Sequence, residues 1–198
     1  MDIIDYHRFA LSTAIYRGLE GGNQPTYPAL GLAGEAGEIC EKLADGIVGE
    51  ELAKELGDVL WYIANLAEDM GADMLSILPA SLASRIEQFD AFQAVAAEPG
   101  PPPCSSTPNL EPHPAALRLA GKAGMVCERA KKLIRDDGGT LTDERRSLIA
   151  SGLAEAFVAV ANLASALGAN LDDIAAANVR KLRSRKERGR ITGDGDNR

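Results

Sequence analysis

The feature that most constrains this chain is that it repeats itself. LAGEAGEICEK at residues 32–42 matches LAGKAGMVCER at 119–129, and LAKELGDVLWYIANLAEDMGAD at 52–73 matches IASGLAEAFVAVANLASALGAN at 149–170. The offset is 87 in the first block and 97 in the second, so the second copy carries about ten extra residues in KKLIRDDGGT. Repeats of this length imply one supersecondary unit used twice. The copies meet at a Pro- and Ser-rich stretch. We place a first unit at 1–95, an extended linker at 96–113 and a second unit at 114–198.

Both units read as helical, and the fold class expected is all-α. Ala and Leu dominate and aromatic residues make up only 5% of the chain, which disfavours strands. Asp2 caps a first helix to about Gly18, with Ile3, Tyr6, Phe9, Ala10 and Ala14 as its apolar face. Pro28 opens a second, along which Gly31, Gly34 and Gly37 recur every three residues and imply close approach by a helix or a ligand. The third runs from Gly49 to Met70 and ends at Gly71, and a fourth spans Asp73 to Val95. Helices follow near 114–135, 141–167 and 171–188, with Thr140–Asp143 and Asn170–Asp173 as capping pairs.

Two acidic pairs stand out in the first unit. Glu35 and Glu38, like Glu55 and Asp58, are three residues apart in helical segments, so each pair shares a helix face. Like charges at that spacing repel. Two such pairs beside apolar residues point to a cation held by four carboxylates, and hard oxygen ligands suit Mg²⁺ or Mn²⁺. The plain alternative is a solvated helix face.

The second unit has lost this set. Lys122, Met125 and Gly152 replace Glu35, Glu38 and Glu55, while Glu155 keeps the acid of Asp58. The loss runs the other way further on, where Ser81 and Ser84 stand opposite Asn178 and Lys181. One unit kept the carboxylates and the other the basic groups. The motifs GEAGE-x-x-EK, ELGDVLWY and N-x-x-K-L-x-x-R together resemble the MazG-like nucleoside triphosphate pyrophosphohydrolases of the all-α NTP pyrophosphatase superfamily.

That resemblance implies a helical bundle around an acidic Mg²⁺ site, and cleavage of an NTP or dNTP to the monophosphate and pyrophosphate. Carried over by position, Glu35, Glu38, Glu55 and Asp58 are the metal ligands, and one glutamate also prepares the attacking water. Asn178, Lys181 and Arg185 would contact phosphates, with Lys132 and Arg135 as further candidates. The split of the two sets between copies implies an internal pseudo-dimer with one composite site. It would stand alone or pair again as a homodimer, a pseudo-tetramer.

Other readings stay open at this stage. Asn178, Lys181 and Arg185 are also what a helix C-terminus favours, and RSRKERGR at 183–190 is an alternative nucleic-acid arm. The net charge of −8 argues against nucleic acid as a partner. Trp61 is a base-stacking candidate or a core residue. Glu41, kept as Glu128, reads as a structural salt link, and Cys40 and Cys127 read as small core residues. Three cysteines and two histidines give neither a disulfide framework nor a histidine-rich metal site. Neither a signal peptide nor a run of about 18 apolar residues is visible, so a cytoplasmic protein without a membrane span is expected. Substrate remains open between general NTPs and a dUTP- or phosphoribosyl-ATP-type compound. A nucleotide-binding regulatory module without turnover is the alternative from another class.

Overall fold

The computed structural model describes residues 1–18, 25–98 and 111–190. Its helices are α1 (Ile3–Leu11), α2 (Thr26–Ala44), α3 (Glu50–Asp69), α4 (Ala80–Ala83), α5 (Phe89–Ala96), α6 (Pro112–Arg135), α7 (Asp143–Ala166) and α8 (Leu171–Glu187), with a 3₁₀ turn at Ile15–Gly18. No strand occurs among the described residues, only an isolated bridge between Asp2 and Gln88. The fold is all-α, as expected.

Four helices form the centre. α2 and α3 make one hairpin and α6 and α7 another; α2 packs on α6 and α3 on α7. Apolar residues at helical spacing drive this. Leu32, Ala36, Ile39 and Leu43 line the buried side of α2, and Leu52, Leu56, Val59, Leu60 and Ile63 that of α3. The core runs without interruption through both halves. By length and composition α7 would pass as a membrane span, but 67% of its apolar window is buried within the fold, so it serves here as an interior helix.

The outer helices cross between the halves. α8 lies on α3, α5 lies on α7, and α1 packs against both α3 and α8. Gln93 on α5 fixes the α7–α8 corner: its amide donates to Ala169 O at 2.8 Å, and Leu171 N donates to its carbonyl at 2.8 Å. Arg146 at the start of α7 donates to Met70 O at the end of α3, at 2.6 Å. These contacts set where α8 meets the acidic helices.

The two halves share their turn chemistry. Gly71 and Gly168 end α3 and α7 with φ of 70° and 65°, the left-handed conformation that suits glycine at a helix end. Two residues on, Asp73 accepts from Leu75 N and Ser76 N, both at 2.8 Å, as Asn170 accepts from Asp172 N and Asp173 N at 2.8 and 3.2 Å. The similarity stops there. Where α8 continues, the first half meets Pro79, which has no N–H and pushes Leu78 away from helical geometry. The single helix expected over Asp73–Val95 is therefore replaced by turns, the short α4 and then α5. Between those helices the chain turns to bond the N-terminus: Ile3 N donates to Glu87 O at 2.9 Å and Phe89 N to Met1 O at 3.2 Å.

Smaller corrections follow. α1 stops at Leu11 rather than near Gly18, and Phe9 and Ala14 on its expected apolar face are half-buried while Ile3, Tyr6 and Ala10 are buried. The cap of α7 is Thr142, accepting from Arg145 N at 3.1 Å, because Thr140 is used inside the Gly138–Gly139 turn, donating its N–H to Asp137 O. Glu41 is exposed and forms no ion pair among the described residues. Glu128 pairs with Lys131 and Lys132, positions where α2 has Ala44 and Asp45. Cys127 is half-buried and its thiol donates to Ala29 O at 3.0 Å; Cys104 and residues 99–110 of the Pro-rich stretch lie outside the described residues.

His7 on α1 is buried, and desolvation lowers its pKa from 6.5 in spite of the nearby Glu68 carboxylate. The unfolded chain thus binds a proton near pH 6.5 that the folded chain resists. Stability is present above that pH and is lost as pH falls through it. Melting temperatures at pH 7.5 and 5.5 should differ less for His7→Gln than for the wild type, by roughly 2–4 °C.

Candidate active site

Glu35 reaches from α2, and Glu55 and Asp58 from α3, into one cluster. Each offers a carboxylate oxygen within 4.8 Å of the other two. The helical spacing places Glu55 and Asp58 on one face, and the α2–α3 hairpin brings Glu35 to them. Glu38 is exposed one turn along α2, and its charge adds to the field on Glu35. Burial and the charges of Asp58, Glu38 and Glu55, with a hydrogen bond to Glu55, push Glu35 up to about 8. Burial raises Asp58 too, against the opposing charge and hydrogen bond of Lys181. Glu55 is buried and ion-paired with Lys42.

The second half completes the cluster through α8. Asn178 Nδ2 donates to Asp58 Oδ1 at 2.9 Å, and Lys181 Nζ donates to Asp58 Oδ2 at 2.5 Å. Arg185 is buried on the same helix, and its charge favours ionised Asp58. Asn178 and Arg185 are 3% and 5% exposed, so they are interior groups and not a solvated helix end. The approach is close: a Cβ on Gly57 would lie 2.9 Å from Asn178 Cβ. Tyr6, fully buried on α1, donates its hydroxyl to Asn178 Oδ1 at 2.9 Å.

Residues 24–94, which contain all four carboxylates, match the MazG nucleotide pyrophosphohydrolase domain family. The Gene 37 protein of Mycobacterium phage L5 is 36% identical over 113 residues, 55% of this chain and 97% of that protein. The chain belongs to the MazG family. No solved structure matches it. The family match ends before α8, so the polar groups that Asn178, Lys181 and Arg185 bring to this MazG domain come from outside the matched segment.

An aromatic group adjoins the MazG carboxylates. Tyr62 lies against Gly31, where any Cβ would overlap its ring, and the charges of Glu35 and Asp58 help to raise its pKa after burial and Tyr27. Trp61 packs edge-on to Tyr62 with centroids 4.9 Å apart, and its indole N–H donates to Thr13 Oγ1 at 2.8 Å. Tyr16 stacks on Tyr27 at 4.5 Å, and Tyr27 is 45% exposed. Of the three α2 glycines, only Gly31 meets a neighbouring side chain; Gly34 and Gly37 face open space. Lys132 pairs with Glu128, and Arg135 with Asp136, each within its own helix end and not with the cluster.

The equivalent place in the second half is filled by its own cations. Lys122, opposite Glu35, is ion-paired with Glu155, opposite Asp58. Arg129, opposite Lys42, donates to Leu148 O and occupies the space a side chain at Gly152 would need. Two participants escaped the sequence reading. Lys42 was legible in principle, four residues after Glu38 in the same motif. Tyr6 was not, since 172 residues separate it from Asn178.

Crowding at Glu35 gives a pH signature. In metal-free protein its carboxyl keeps a proton to about pH 8, whereas the unfolded chain releases it near 4.5. The contribution of this group to stability therefore declines as pH rises across that interval. Glu35→Gln should remove this decline and raise the melting temperature at pH 8 by roughly 2–4 °C, measured in chelator.

Proposed function

We propose that this protein hydrolyses nucleoside triphosphates, NTP or dNTP, to the monophosphate and pyrophosphate, with Mg²⁺ as cofactor and Mn²⁺ as a substitute. One site per chain does this. The observation that carries the reading is the meeting of Glu35, Glu55 and Asp58 with Asn178 and Lys181 from the other half. Carboxylates and phosphate-binding cations are the two sets that polyphosphate hydrolysis requires.

The residues fit a divalent cation. The donor set is all carboxylate oxygen, which suits a hard ion. Burial and then the charges of Asp58, Glu38 and Glu55 hold the proton on Glu35, and a bound cation would offset those charges. Glu35, Glu38, Glu55 and Asp58 would hold the ion. Bound there, it would neutralise charge on the phosphate oxygens and lower the pKa of a water. The chain's own residues do the rest. Lys42 pairs with Glu55 and holds its carboxylate in place, and one glutamate of the set orients the attacking water. Lys181 and Arg185 stabilise charge on the leaving pyrophosphate. Trp61, tied to Thr13 and flanked by Tyr16 and Tyr62, walls the side where a base would lie, and the partly exposed Tyr27 lies nearer solvent for stacking.

We read the chain as two fused copies of one unit, divided at 1–95 and 114–198. The paired hairpins and the matching helix ends at Gly71–Asp73 and Gly168–Asn170 support this. Lys122 and Arg129 support one site per chain, because they stand where a second cation would bind.

A panel of NTPs, dNTPs and modified nucleotides with Mg²⁺ tests the activity through pyrophosphate release. Glu38→Gln should lower turnover about 100-fold or more, and Lys181→Ala should lower kcat/KM about 10-fold or more. If Lys181→Ala leaves turnover and KM unchanged while Glu38→Gln abolishes turnover, the site is not composite. Silence across the panel with nucleotide binding retained would make the protein a binding module.

A further inference from the structure

The position of Asn178 carries an inference about how the site is held. Its side-chain amide spans two partners. Nδ2 donates to Asp58 Oδ1 at 2.9 Å, and Oδ1 accepts from the Tyr6 hydroxyl at 2.9 Å. Tyr6 is 1% exposed and Asn178 3%, so water does not compete for either group. Only one amide orientation satisfies both ends. Turned over, the amide would place its oxygen against the Asp58 carboxylate, acceptor facing acceptor.

Asp58 has a second partner, Lys181 on Oδ2, but the two partners differ in kind. Lys181 is half-buried on a flexible stem. Asn178 is short, buried and pressed against Gly57, with Tyr6 at its far end. The Tyr6 hydroxyl also lies 3.3 Å from Gly57 O, so it meets the turn of α3 just before Asp58. Tyr6 comes from α1, which packs on both α3 and α8.

We propose that Tyr6 is a positioning residue for the metal site: through Asn178 it fixes the orientation of the Asp58 carboxylate. Asn178 then acts on a metal ligand and not on a phosphate, which the motif alone would have assigned to it. Partners of this kind behind a ligating carboxylate typically change metal affinity 10–100-fold. The inference rests on the reading of Glu35, Glu38, Glu55 and Asp58 as cation ligands.

Calorimetric titration of metal-free protein with Mn²⁺ tests it without turnover. Tyr6→Phe keeps the ring, which packs edge-on to Phe89 at 5.3 Å, and removes only the hydroxyl. We expect Mn²⁺ affinity to fall about 10-fold or more, while KM for nucleotide at saturating Mn²⁺ stays as in the wild type. The double variant Tyr6→Phe/Asn178→Leu replaces both polar partners with apolar groups. Because Asn178→Leu also takes the donor from Asp58 Oδ1, the double variant should not recover the melting temperature lost in Tyr6→Phe, and it should bind Mn²⁺ at least as weakly. Wild-type Mn²⁺ affinity in Tyr6→Phe overturns the proposal. So does recovery of that affinity in the double variant, since Tyr6 would then serve stability alone. If the wild type itself takes up no Mn²⁺, the cation-site reading falls and this inference falls with it.

Discussion

Helix α8 can reach α3 only because residue 57 has no side chain. A Cβ there would stand 2.9 Å from Asn178 Cβ, inside the distance that real Cβ contacts keep. Gly57 lies in a helix interior, where glycine costs about 1 kcal/mol relative to alanine. That cost is offset by what the close approach permits. Asn178, Lys181 and Arg185 arrive beside Asp58, and Tyr6 closes the network from behind. Moving α8 outward by one methyl group would separate every one of these contacts.

The cluster also shows how a fold tolerates carboxylates brought together in a partly dry place. Charges this close cannot all stay ionised unless something neutralises them. Lys42 serves Glu55, and Lys181 with Asn178 serves Asp58, while Glu35 retains its proton. In the second half the same difficulty is removed by substitution. Lys122 replaces one acid and pairs with the one that remains, and Arg129 fills the volume left at Gly152. The first arrangement keeps three carboxylates close together, and the second pairs its remaining acid internally. A helical hairpin thus carries an acidic cluster in one half and an ion-paired contact in the other.

Much of the architecture could be read directly along the chain. The limits of α3, α6, α7 and α8 followed from apolar periodicity and from Gly71, Gly168 and Asn170, all local signals. The acidic cluster was legible because a three-residue helical spacing forces side chains to one face. Asn178, Lys181 and Arg185 stood out because the residues aligned with them in the first half are different. Reading failed where a local pattern met a tertiary demand. Helical periodicity continues past Leu78, but Pro79 and the bonds from Glu87 and Phe89 to the N-terminus divide that segment. The glycine row on α2 suggested three close approaches and holds one, because only Gly31 faces Tyr62. Lys132 and Arg135 have the right chemistry and sit with Glu128 and Asp136 instead.

The sequence by itself determined the helices, the two hairpins and the residue types of the acidic cluster, because each rests on spacing within about two helical turns. The tertiary structure decided which groups from the second half complete that site and what each one touches. The helix order along the chain is compatible with α8 lying on its own half. Burial of its apolar face against α3 and α1, with Gln93 holding the corner at Leu171, sends it across. That crossing turns Asn178 from a motif residue into the link between Tyr6 and Asp58. No short-range pattern encodes it, since the partners lie 120 and 172 residues away along the chain.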